Sequence, residues 1–583
     1  MTTKEYIIHE ADVLVVGGGI GGCFAAIKAK EAGAGEVMQL DKGHVGKSGC
    51  SAFAAGVYPA FCPNEDDYDE VFHDMLEAPG PFIVDQERLQ SHLEAVWDTV
   101  NEIESYGVEL ERTENGKVER HVGRGKVKNV MFHGPQMMEV LARRARKMGV
   151  KQFNKMIMSD LLTRGDEVVG IIGFNVVNGE WHVFKAKATV LAAGGNFYKG
   201  ICPGHRNVTG DGLVAAYRAG ADITDLDLAI FNAFVARYDI GPGMSMYVGL
   251  GGKFINSEDE RFMEGYDPEL KDRAPLYRLT PAFAMEVRRG KGPIFLDMTH
   301  FTGEQVRQLK RVIPLPMMMY EKVGLVKGDR FVEKIEWMPY APVQRGGLLT
   351  NDKYETCLSG LYACGDATPI AGDIGGASYL PGAVTSGIKA GRHAAERAKG
   401  IGMVEVEEKQ IRELRGKTLM LMDRTEGVEP DHIVVALQEA VMPYDVLLLR
   451  EEGRMNKALA EIEDIRDNLL PLICAYDPHY LRMALEASNL VTSAEMQLRS
   501  SIFRKESRGG TCLREDYPYR DNVNWLKWIS VKRENGEMKV LANDIPFDRY
   551  PVKPHRDRVI DPVWQRAQEL GVISIKEERI AWE

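Results

Sequence analysis

The stretch that decides the fold runs from Asp12 to Asp41 and reads DVLVVGGGIGGCFAAIKAKEAGAGEVMQLD. The apolar run DVLVV predicts a strand, the glycine-rich turn follows as GxGxxG, and CFAAIKAKEAG predicts a helix. Gly17, Gly19 and Gly22 allow a tight turn, close approach of the backbone to a pyrophosphate, and close packing of helix on strand. A second strand ends at Asp41, whose carboxylate can accept hydrogen bonds from a ribose. The sequence therefore predicts a dinucleotide site at this turn.

Three later segments favour FAD over NAD, which shares the same glycine motif. GLYACGDA at 360–367 resembles the second FAD motif of glutathione-reductase-like flavoproteins, in which the aspartate meets the ribityl and pyrophosphate region. ATVLAAGG at 188–195 resembles the strand and turn that close over the nucleotide, and TGDG at 209–212 resembles a turn common in that superfamily. The resemblance implies bound FAD. Besides the four residues named above, the predicted cofactor-binding residues are Lys42, Ser48, Gly49, Ala193, Gly194, Asp211, Gly365, Asp366, Ala383 and Val384.

The order of these motifs along 583 residues predicts an α/β protein with more than one hydrophobic core. We predict a Rossmann-like FAD-binding domain of the glutathione-reductase type, an inserted α+β capping domain and a C-terminal helical domain. The predicted boundaries are 1–225 and 344–400 for the two parts of the FAD-binding domain, 226–343 for the capping (substrate) domain, 401–525 for the helical domain and 526–583 for a C-terminal appendage.

The most specific further motif is ESRGGTCLREDYP at 506–518, followed by Arg520 and Asp521. It is very similar to the ESRGxHxREDYPxRDD segment that ends the helical domain of succinate dehydrogenase and fumarate reductase flavoproteins. On these motifs the chain is identified as a member of this FAD-dependent superfamily, with partial resemblance to the α chain of adenylylsulfate reductase. As a structural element, the segment is expected to be a charged turn that joins two domains.

The resemblance implies an FAD-dependent oxidoreductase, the flavoprotein subunit of a fumarate reductase or succinate dehydrogenase-like complex. Such a protein would act on a small anionic substrate and exchange electrons with a ferredoxin-like iron–sulfur subunit, in anaerobic metabolism. Two alternatives stay open at this point: an adenylylsulfate-reductase-like enzyme of sulfur metabolism, and an electron-relay flavoprotein without its own small-molecule substrate.

The residues that carry catalysis in the family are only partly present. Covalently flavinylated members have a histidine where this chain has Gly49, so FAD is expected to bind noncovalently. The histidine of the fumarate reductases is replaced by Pro342, and the arginine of the loop over their flavin is replaced by Tyr379. Because arginine supplies paired donors to a carboxylate, these replacements argue against fumarate or succinate as the substrate.

Three catalytic residues are predicted from their places in the family motifs. Arg237 lies in a segment that resembles the one supplying a substrate-binding arginine in adenylylsulfate reductases, and would anchor an anionic group. Arg345 would be a second anchor or an acid. Tyr379, near a helix start that faces the flavin, would donate or accept a proton. The competing interpretations are a surface ion pair for Arg237, a hinge-loop charge for Arg345 and simple packing for Tyr379.

Composition limits the partners. The net charge of -12 comes from residues of both signs spread along the chain, which argues against nucleic-acid binding. The eight cysteines form no CxxC pair, so neither zinc nor an iron–sulfur cluster has its usual ligand spacing and no metal ligands are assigned. No apolar run reaches the roughly 18–20 residues of a membrane-spanning helix, and the polar start lacks a signal-peptide pattern. We expect a cytoplasmic protein without direct membrane insertion.

Overall fold

The computed structural model describes residues 5–77, 80–201, 204–238, 240, 243–369, 379–424 and 426–575. The strands are β1 Ile7–Val16, β2 Val37–Asp41, β3 Val57–Pro59, β4 Asn129–Met131, β5 Lys151–Asn154, β6 Met156–Arg164, β7 Glu167–Asn175, β8 Trp181–Leu191, β9 Ile223–Thr224, β10 Ala229–Val235, β11 Lys253–Ile255, β12 Ile294–Asp297, β13 Val326–Lys327, β14 Arg330–Phe331, β15 Ile335–Gln344, β16 Gly347–Leu348, β17 Leu361–Ala363, β18 Leu449–Arg450, β19 Leu513–Arg514, β20 Tyr519–Asp521, β21 Lys527–Glu534, β22 Glu537–Asp544 and β23 Arg558–Ile560. The α-helices are Ile20–Glu31, Gly49–Phe53, Tyr68–Glu77, Gln86–Ser105, Gly134–Lys147, Asp211–Ala219, Met244–Gly249, Met263–Tyr266, Leu276–Arg288, Gly303–Val312, Pro314–Lys322, Tyr379–Gly400, Glu408–Leu419, Pro430–Val441, Tyr444–Leu447, Glu452–Asp464, Pro478–Phe503 and Pro562–Glu569.

The main sheet gathers the strands that precede the predicted nucleotide motifs. Its order is β5-β2-β1-β8-β7-β6, and β17 also pairs with β8. β1 runs parallel to β2 and β8, and β17 runs parallel to β8. The end of β1 is buried continuously from Val13 to Val16, as expected for a parallel strand covered on both faces. The carboxyl ends of β1, β2, β8 and β17 therefore lie at one edge of the sheet, where open α/β sheets bind ligands.

Two helices cross closely at this edge. A Cβ atom on Gly387, in the helix Tyr379–Gly400, would lie 2.5 Å from the carbonyl oxygen of Gly21, in the helix Ile20–Glu31. One on Gly21 would lie 3.1 Å from the carbonyl oxygen of Ala383, in the first turns of the other helix. The position of Gly387 thus admits only glycine without a shift of the backbone. This crossing places both helix N-termini at the same edge of the sheet.

The inserted segment has its own sheet and core. The sheet order is β10-β15-β12-β11, and its apolar side chains pack with those of the helices Leu276–Arg288 and Gly303–Val312. Farther along the chain, the helix Pro478–Phe503 packs against Pro430–Val441 and Glu452–Asp464, in the region predicted to be helical. Among the described residues, no helix is both long and apolar enough to cross a membrane.

The C-terminal segment is more deeply integrated than an appendage. β21 pairs with β9, with Ser530 opposite Thr224, so the β21–β22 hairpin extends a sheet that also contains β16. Farther on, Trp564 is fully buried and donates a hydrogen bond from Nε1 to the Ser507 hydroxyl at 2.9 Å. The prolines of this tail suggested a separate unit, whereas its alternating apolar residues find partners on distant parts of the chain.

The ESRGG motif forms a buried ion network. Glu506 accepts hydrogen bonds from Arg504 Nη1 at 2.6 Å and from Arg508 Nε and Nη2 at 2.7 and 2.8 Å. Arg504 also forms an ion pair with Asp227, and all four side chains are fully buried. Arg508 further donates to the carbonyl oxygen of Pro81 at 2.8 Å. The motif therefore joins distant parts of the chain, in agreement with the charged structural turn expected from the sequence.

Candidate cofactor and substrate site

A cavity of about 520 Å³ opens at the edge of the main sheet where the parallel strands end. The sequence-predicted cofactor residues that line it are Gly17, Gly19, Asp41, Lys42, Ser48, Gly49, Ala193, Gly194, Asp211, Gly365, Asp366 and Ala383. The two remaining predicted residues, Gly22 and Val384, are buried in the helices behind this wall. These residues come from segments that are far apart in the sequence, and those that follow β1, β2, β8 and β17 meet at the cavity because these strands end at the same edge.

The glycine turn leaves room for a phosphate group. Gly17 has a φ of +124°, and a Cβ atom there would lie 2.1 Å from the carbonyl oxygen of Ala192, so the turn requires glycine. A Cβ on Gly19 would meet only the Ser51 hydroxyl, at 3.4 Å. The helix that starts at Ile20 has no side-chain cap and no acidic residue in its first turn. The Ile20 N–H donates to the Ser51 hydroxyl at 3.2 Å, whereas the positive end of the helix dipole and the N–H groups that follow in the first turn can face an anion.

Asp41 holds this turn in shape. Its carboxylate accepts hydrogen bonds from the backbone N–H of Gly18 at 2.8 Å and of Gly43 at 2.7 Å. Burial raises the pKa of Asp41, while the same two N–H groups oppose the shift. The carboxylate lies in the cavity wall at the end of β2, where a ribose hydroxyl can reach it. The residues present at this end fit the pyrophosphate and ribose of a dinucleotide.

Lys42 and Asp211 belong to a network of hydrogen bonds and ion pairs beside the cavity. The Lys42 ammonium donates to Asp211 Oδ2 at 2.7 Å, to Thr209 Oγ1 at 2.7 Å and to Glu486 Oε1 at 2.9 Å. Glu486 is fully buried and also pairs with Lys199 at 2.6 Å. These contacts connect the nucleotide end of the cavity to the helix Pro478–Phe503. The sequence-predicted cofactor residues Lys42 and Asp211 therefore act as a structural link as well as cavity lining.

Replacing Glu486 with glutamine is expected to destabilise the protein in a pH-dependent way. Burial would raise the pKa of Glu486, but Lys42, Lys199 and Arg482 outweigh burial and lower it to about 2. Lowering the pKa of Glu486 from its usual value near 4.5 to about 2 adds about 3 kcal/mol to the free energy of unfolding above pH 4.5. This contribution disappears as the pH falls through about 2. Urea unfolding of both proteins at several pH values measures it.

The loss in Glu486→Gln should be about 3 kcal/mol at pH 7 and should shrink steadily below pH 4.5. The matched control is Glu537→Gln, which removes an exposed carboxylate paired with Lys539 at 2.7 Å and should change stability little. An equal loss for Glu486→Gln at pH 7 and pH 3 would show that the carboxylate charge is not what stabilises this link.

Two of the predicted catalytic residues, Arg345 and Tyr379, contact each other. Arg345 Nη2 donates a hydrogen bond to the Tyr379 hydroxyl at 2.6 Å, and the guanidinium carbon lies 5.1 Å from the centre of the phenol ring. Arg345 is fully buried, whereas Tyr379 lines the cavity at the first residue of its helix. Because the hydroxyl oxygen accepts from Arg345, its own hydrogen can be directed into the cavity. The loop residues 370–378 that precede Tyr379 lie outside the described residues.

Asp366 connects this pair to the nucleotide end. Its carboxyl group lines the cavity after β17, and burial raises its pKa to about 6, with the charge of Arg345 opposing the shift. The carboxyl group and the Arg345–Tyr379 pair are thus electrostatically coupled across the cavity wall.

The third predicted catalytic residue, Arg237, does not lie in the cavity. Its side chain is 77% exposed, and its nearest acidic partner is Glu336, with 3.7 Å between Nε and Oε2. The prediction that Arg237 anchors the substrate therefore does not fit its position, and the competing interpretation, a surface ion pair, does. Arg237 lies two residues beyond the end of β10, which pairs with β15, and its side chain extends into solvent.

A different arginine, Arg124, faces the cavity. Its Nε donates to the Ser245 hydroxyl at 3.1 Å, and burial lowers its pKa to about 10, opposed by Tyr379. Within the part of the chain that the structure describes, no carboxylate lies within 4.0 Å of its guanidinium, whereas Arg278 in the same wall is paired with Asp267 at 2.9 Å. Arg124 is therefore a positive charge without an acidic partner among the residues that the structure describes.

Hydrogen bonds from Arg273 hold the loop that carries Arg124. Arg273 donates hydrogen bonds to the carbonyl oxygens of Gly123 at 2.9 Å and Gly125 at 3.3 Å. The two glycines on either side of Arg124 are the sequence signal that could have identified it, because an arginine between glycines favours close approach of a ligand to the backbone. Sequence reasoning missed this residue.

Comparison with known proteins identifies related chains over nearly the full length. A family model described as "FAD binding domain" matches residues 12–384, and one described as "Fumarate reductase flavoprotein C-term" matches residues 436–559. A fumarate reductase (CoM/CoB) subunit of Methanothermobacter marburgensis is 28% identical, over 91% of this chain and 98% of its own. The succinate dehydrogenase flavoprotein subunit of Rickettsia conorii is 27% identical, over 90% of this chain and 94% of its own.

Solved structures show the same fold. The E. coli quinol fumarate reductase FrdA chain superimposes with a TM-score of 0.83 at 22% identity, and covers 94% of this chain and 98% of its own. Adenylylsulfate reductase from Archaeoglobus fulgidus superimposes with a TM-score of 0.74 at 21% identity, over 94% and 99% of the two chains. At this identity the structural likeness establishes the architecture and leaves the chemistry to the residues of the cavity.

Proposed function

The chain belongs to the FAD-binding oxidoreductase family that includes the fumarate reductase and succinate dehydrogenase flavoproteins, and from this premise we propose that it transfers electrons between FAD and a small anionic substrate. The electrons are exchanged with a ferredoxin-like iron–sulfur subunit. The relatives from Methanothermobacter marburgensis and Rickettsia conorii, which match over nearly their whole length, are subunits by name, which supports a role within a complex.

The observation that carries the proposal is the positive charge of Arg124 in the cavity. A half-buried guanidinium that has no acidic partner among the described residues pays part of the cost of leaving water, and an anion that binds it recovers that cost. Guanidinium groups bind carboxylates and phosphates through paired hydrogen bonds, which also fix the orientation of the ligand. The cavity therefore favours a substrate with an anionic group.

The remaining residues divide the work with the cofactor. Bound FAD supplies hydride or electron-pair chemistry, and the glycine turn and Asp41 would hold its pyrophosphate and ribose. Arg124 binds and orients the anionic group of the substrate. Tyr379 holds a proton that its hydroxyl can give to, or take from, the reacting carbon or carbonyl. Arg345 is a positioning residue, because it is fully buried and donates a hydrogen bond to the Tyr379 hydroxyl.

The placement of the cysteines supports transfer of single electrons to iron–sulfur clusters on a partner polypeptide. Cys23, Cys364 and Cys512 are buried, and none of them forms a disulfide bond with another described residue. Within the described ranges, the one cluster of three possible metal ligands contains no cysteine, and Cys202 lies outside those ranges. Iron–sulfur clusters are held by cysteine thiolates, so clusters that accept electrons from this chain would belong to a partner.

FAD is expected to be released intact when the protein is unfolded. Gly49 lines the cavity where covalently flavinylated relatives have a histidine, and glycine has no side chain to which the cofactor could be attached. Precipitation with acid, followed by absorbance of the supernatant and of the redissolved pellet, measures the distribution. All of the flavin should be in the supernatant; flavin that stays with the pellet would show a covalent bond to another residue.

The function is tested by anaerobic photoreduction of the holoenzyme, followed by a screen of oxidants for reoxidation of the flavin. The panel contains fumarate, other enoates, adenylylsulfate and uncharged enones of similar size, and co-purifying polypeptides are identified by mass. Reoxidation by an anionic compound, and not by its uncharged analogue, supports the proposal. Reoxidation by an iron–sulfur protein alone would replace it with an electron relay, and a reaction specific to adenylylsulfate would favour a sulfur-metabolism enzyme.

A further inference from the structure

A second group of potential ligands lies outside the cavity, on the segment 111–121. Glu111, Glu119 and His121 each offer one ligand atom, and these atoms all lie within 4.8 Å of one another. The backbone brings them together: the Glu119 N–H donates to the Glu111 carbonyl oxygen at 2.8 Å, so the two residues are neighbours across a hairpin. Residues two apart on an extended strand point to the same side, which places Glu119 and His121 together.

Polar atoms in this cluster lack the partners that buried groups normally have. The His121 side chain is only 6% exposed, and its Nε2 lies 3.8 Å from Glu119 Oε1. Among the residues that the structure describes, neither His121 Nε2 nor Glu111 Oε2 has a hydrogen-bond partner. Buried polar groups in folded proteins are nearly always satisfied, so such groups call for an explanation.

The charge of the cluster is balanced from outside the hairpin. Arg311, in the helix Gly303–Val312, lies 3.3 Å from Glu111 Oε2 and 3.8 Å from Glu119 Oε1, and its side chain is 56% exposed. At these distances the guanidinium neutralises the carboxylates without satisfying them by hydrogen bonds. An exposed arginine can turn into solvent, so its place at the carboxylates can be taken by another cation.

We propose that Glu111, Glu119 and His121 form a binding site for Zn²⁺, and that Arg311 competes with the metal for the two carboxylates. One imidazole nitrogen and two carboxylate oxygens are a ligand set that Zn²⁺ accepts, with water completing a tetrahedral shell. Mg²⁺ prefers oxygen ligands in an octahedral arrangement and is a poor match for a buried imidazole. Binding of Zn²⁺ exchanges the ion pairs between the hairpin and the helix Gly303–Val312 for ligands from the hairpin alone.

The site is tested by calorimetric titration of the FAD-loaded full chain with Zn²⁺ and with Mg²⁺, together with the zinc content after gel filtration. The wild-type protein should bind one equivalent of Zn²⁺ that Glu119→Gln and His121→Gln lose or bind about 100-fold more weakly. Arg311→Leu should bind Zn²⁺ about tenfold more tightly or better, because the competing positive charge is gone. His300→Gln, which changes an exposed histidine of the inserted segment that carries Arg311, should have no effect.

His121 is buried, so its variant is read together with Glu119→Gln, whose side chain is 25% exposed and should be replaced without loss of the fold. The proposal is overturned by a wild-type protein that binds no Zn²⁺, or by Glu119→Gln binding Zn²⁺ with unchanged stoichiometry and affinity. It is also overturned if Arg311→Leu fails to strengthen binding, because competition would then be absent.

Discussion

Replacing Arg124 with leucine is expected to lower kcat/KM for the anionic substrate by about 100- to 1000-fold, equivalent to ~3–4 kcal/mol of lost binding in the transition state. Leucine keeps much of the apolar stem but removes the positive charge that the cavity offers to the substrate. The residues at the nucleotide end are unchanged, so FAD should stay bound. Steady-state kinetics with the best oxidant from the screen, and the ratio of flavin to protein absorbance, measure the two effects.

Two matched controls separate the role of Arg124 from a general effect of positive charge. Arg278 lies in the same cavity wall but is already paired with Asp267, and Arg237 is exposed on the surface beside Glu336. Arg278→Leu and Arg237→Leu should therefore each reduce kcat/KM much less than Arg124→Leu. A large loss in Arg237→Leu with little loss in Arg124→Leu would restore the anchor predicted from the sequence and contradict the one assigned from the structure.

Replacing Glu506 with glutamine is expected to lower the free energy of unfolding by about 3–5 kcal/mol, because it leaves buried guanidinium groups without their shared carboxylate. Glu506 accepts hydrogen bonds from both Arg504 and Arg508, and all three side chains are fully buried. Glutamine preserves the shape of the side chain, so the loss reports the charge and the hydrogen bonds it accepts. Chemical denaturation of the holoenzyme, with flavin release as a second probe, measures it.

Glu515 provides the control within the same motif. It pairs with Arg288 at 2.8 Å and Arg454 at 2.7 Å, but its side chain is 27% exposed. Glu515→Gln should cost about 1 kcal/mol or less, because water can replace the lost interactions. Equal losses for Glu506→Gln and Glu515→Gln would show that burial does not set the strength of this network.

The nucleotide end of the cavity could be predicted from the sequence because its determinants are local. The turn at Gly17 and the carboxylate of Asp41 follow directly from a strand, a glycine motif and a second strand, and hydrogen bonds between adjacent segments hold them in place. The contacts of Lys42 were beyond such reasoning. Its partner Glu486 is far away in the sequence and reaches it only because the helix Pro478–Phe503 packs beside the main sheet.

The substrate end of the cavity was predicted less well, because its contacts also join segments that are far apart in the sequence. Arg345 and Tyr379 were assigned separately from family motifs, and the structure brings them into contact. Arg237 was assigned from a similar motif, but the direction of its side chain depends on strand packing that no local pattern encodes. Arg124 has only its two flanking glycines as a local signal, and its importance follows from the absence of an acidic partner among the described residues. Absent partners cannot be read from a sequence.

The β21–β22 hairpin shows that pairing between distant segments also limits the prediction of the fold. The alternating residues of β21 and β22 predict strands, but not which sheet they join. Val531 finds its place opposite Ile223 of β9, after roughly half the chain has intervened. Pairing over such sequence distances depends on the whole fold rather than on local propensity.

The central claim is that one cavity holds FAD beside an arginine that binds the anionic substrate. It is tested most directly by titrating the oxidised holoenzyme with malonate, a dianion that the flavin cannot reduce, and following the flavin absorbance in the wild type and in Arg124→Leu. We predict a saturable change of the flavin spectrum in the wild type that is lost in Arg124→Leu and retained in Arg237→Leu. A wild-type spectrum unaffected by malonate and by the other anions of the screen, or the same saturable change in Arg124→Leu, would contradict the account.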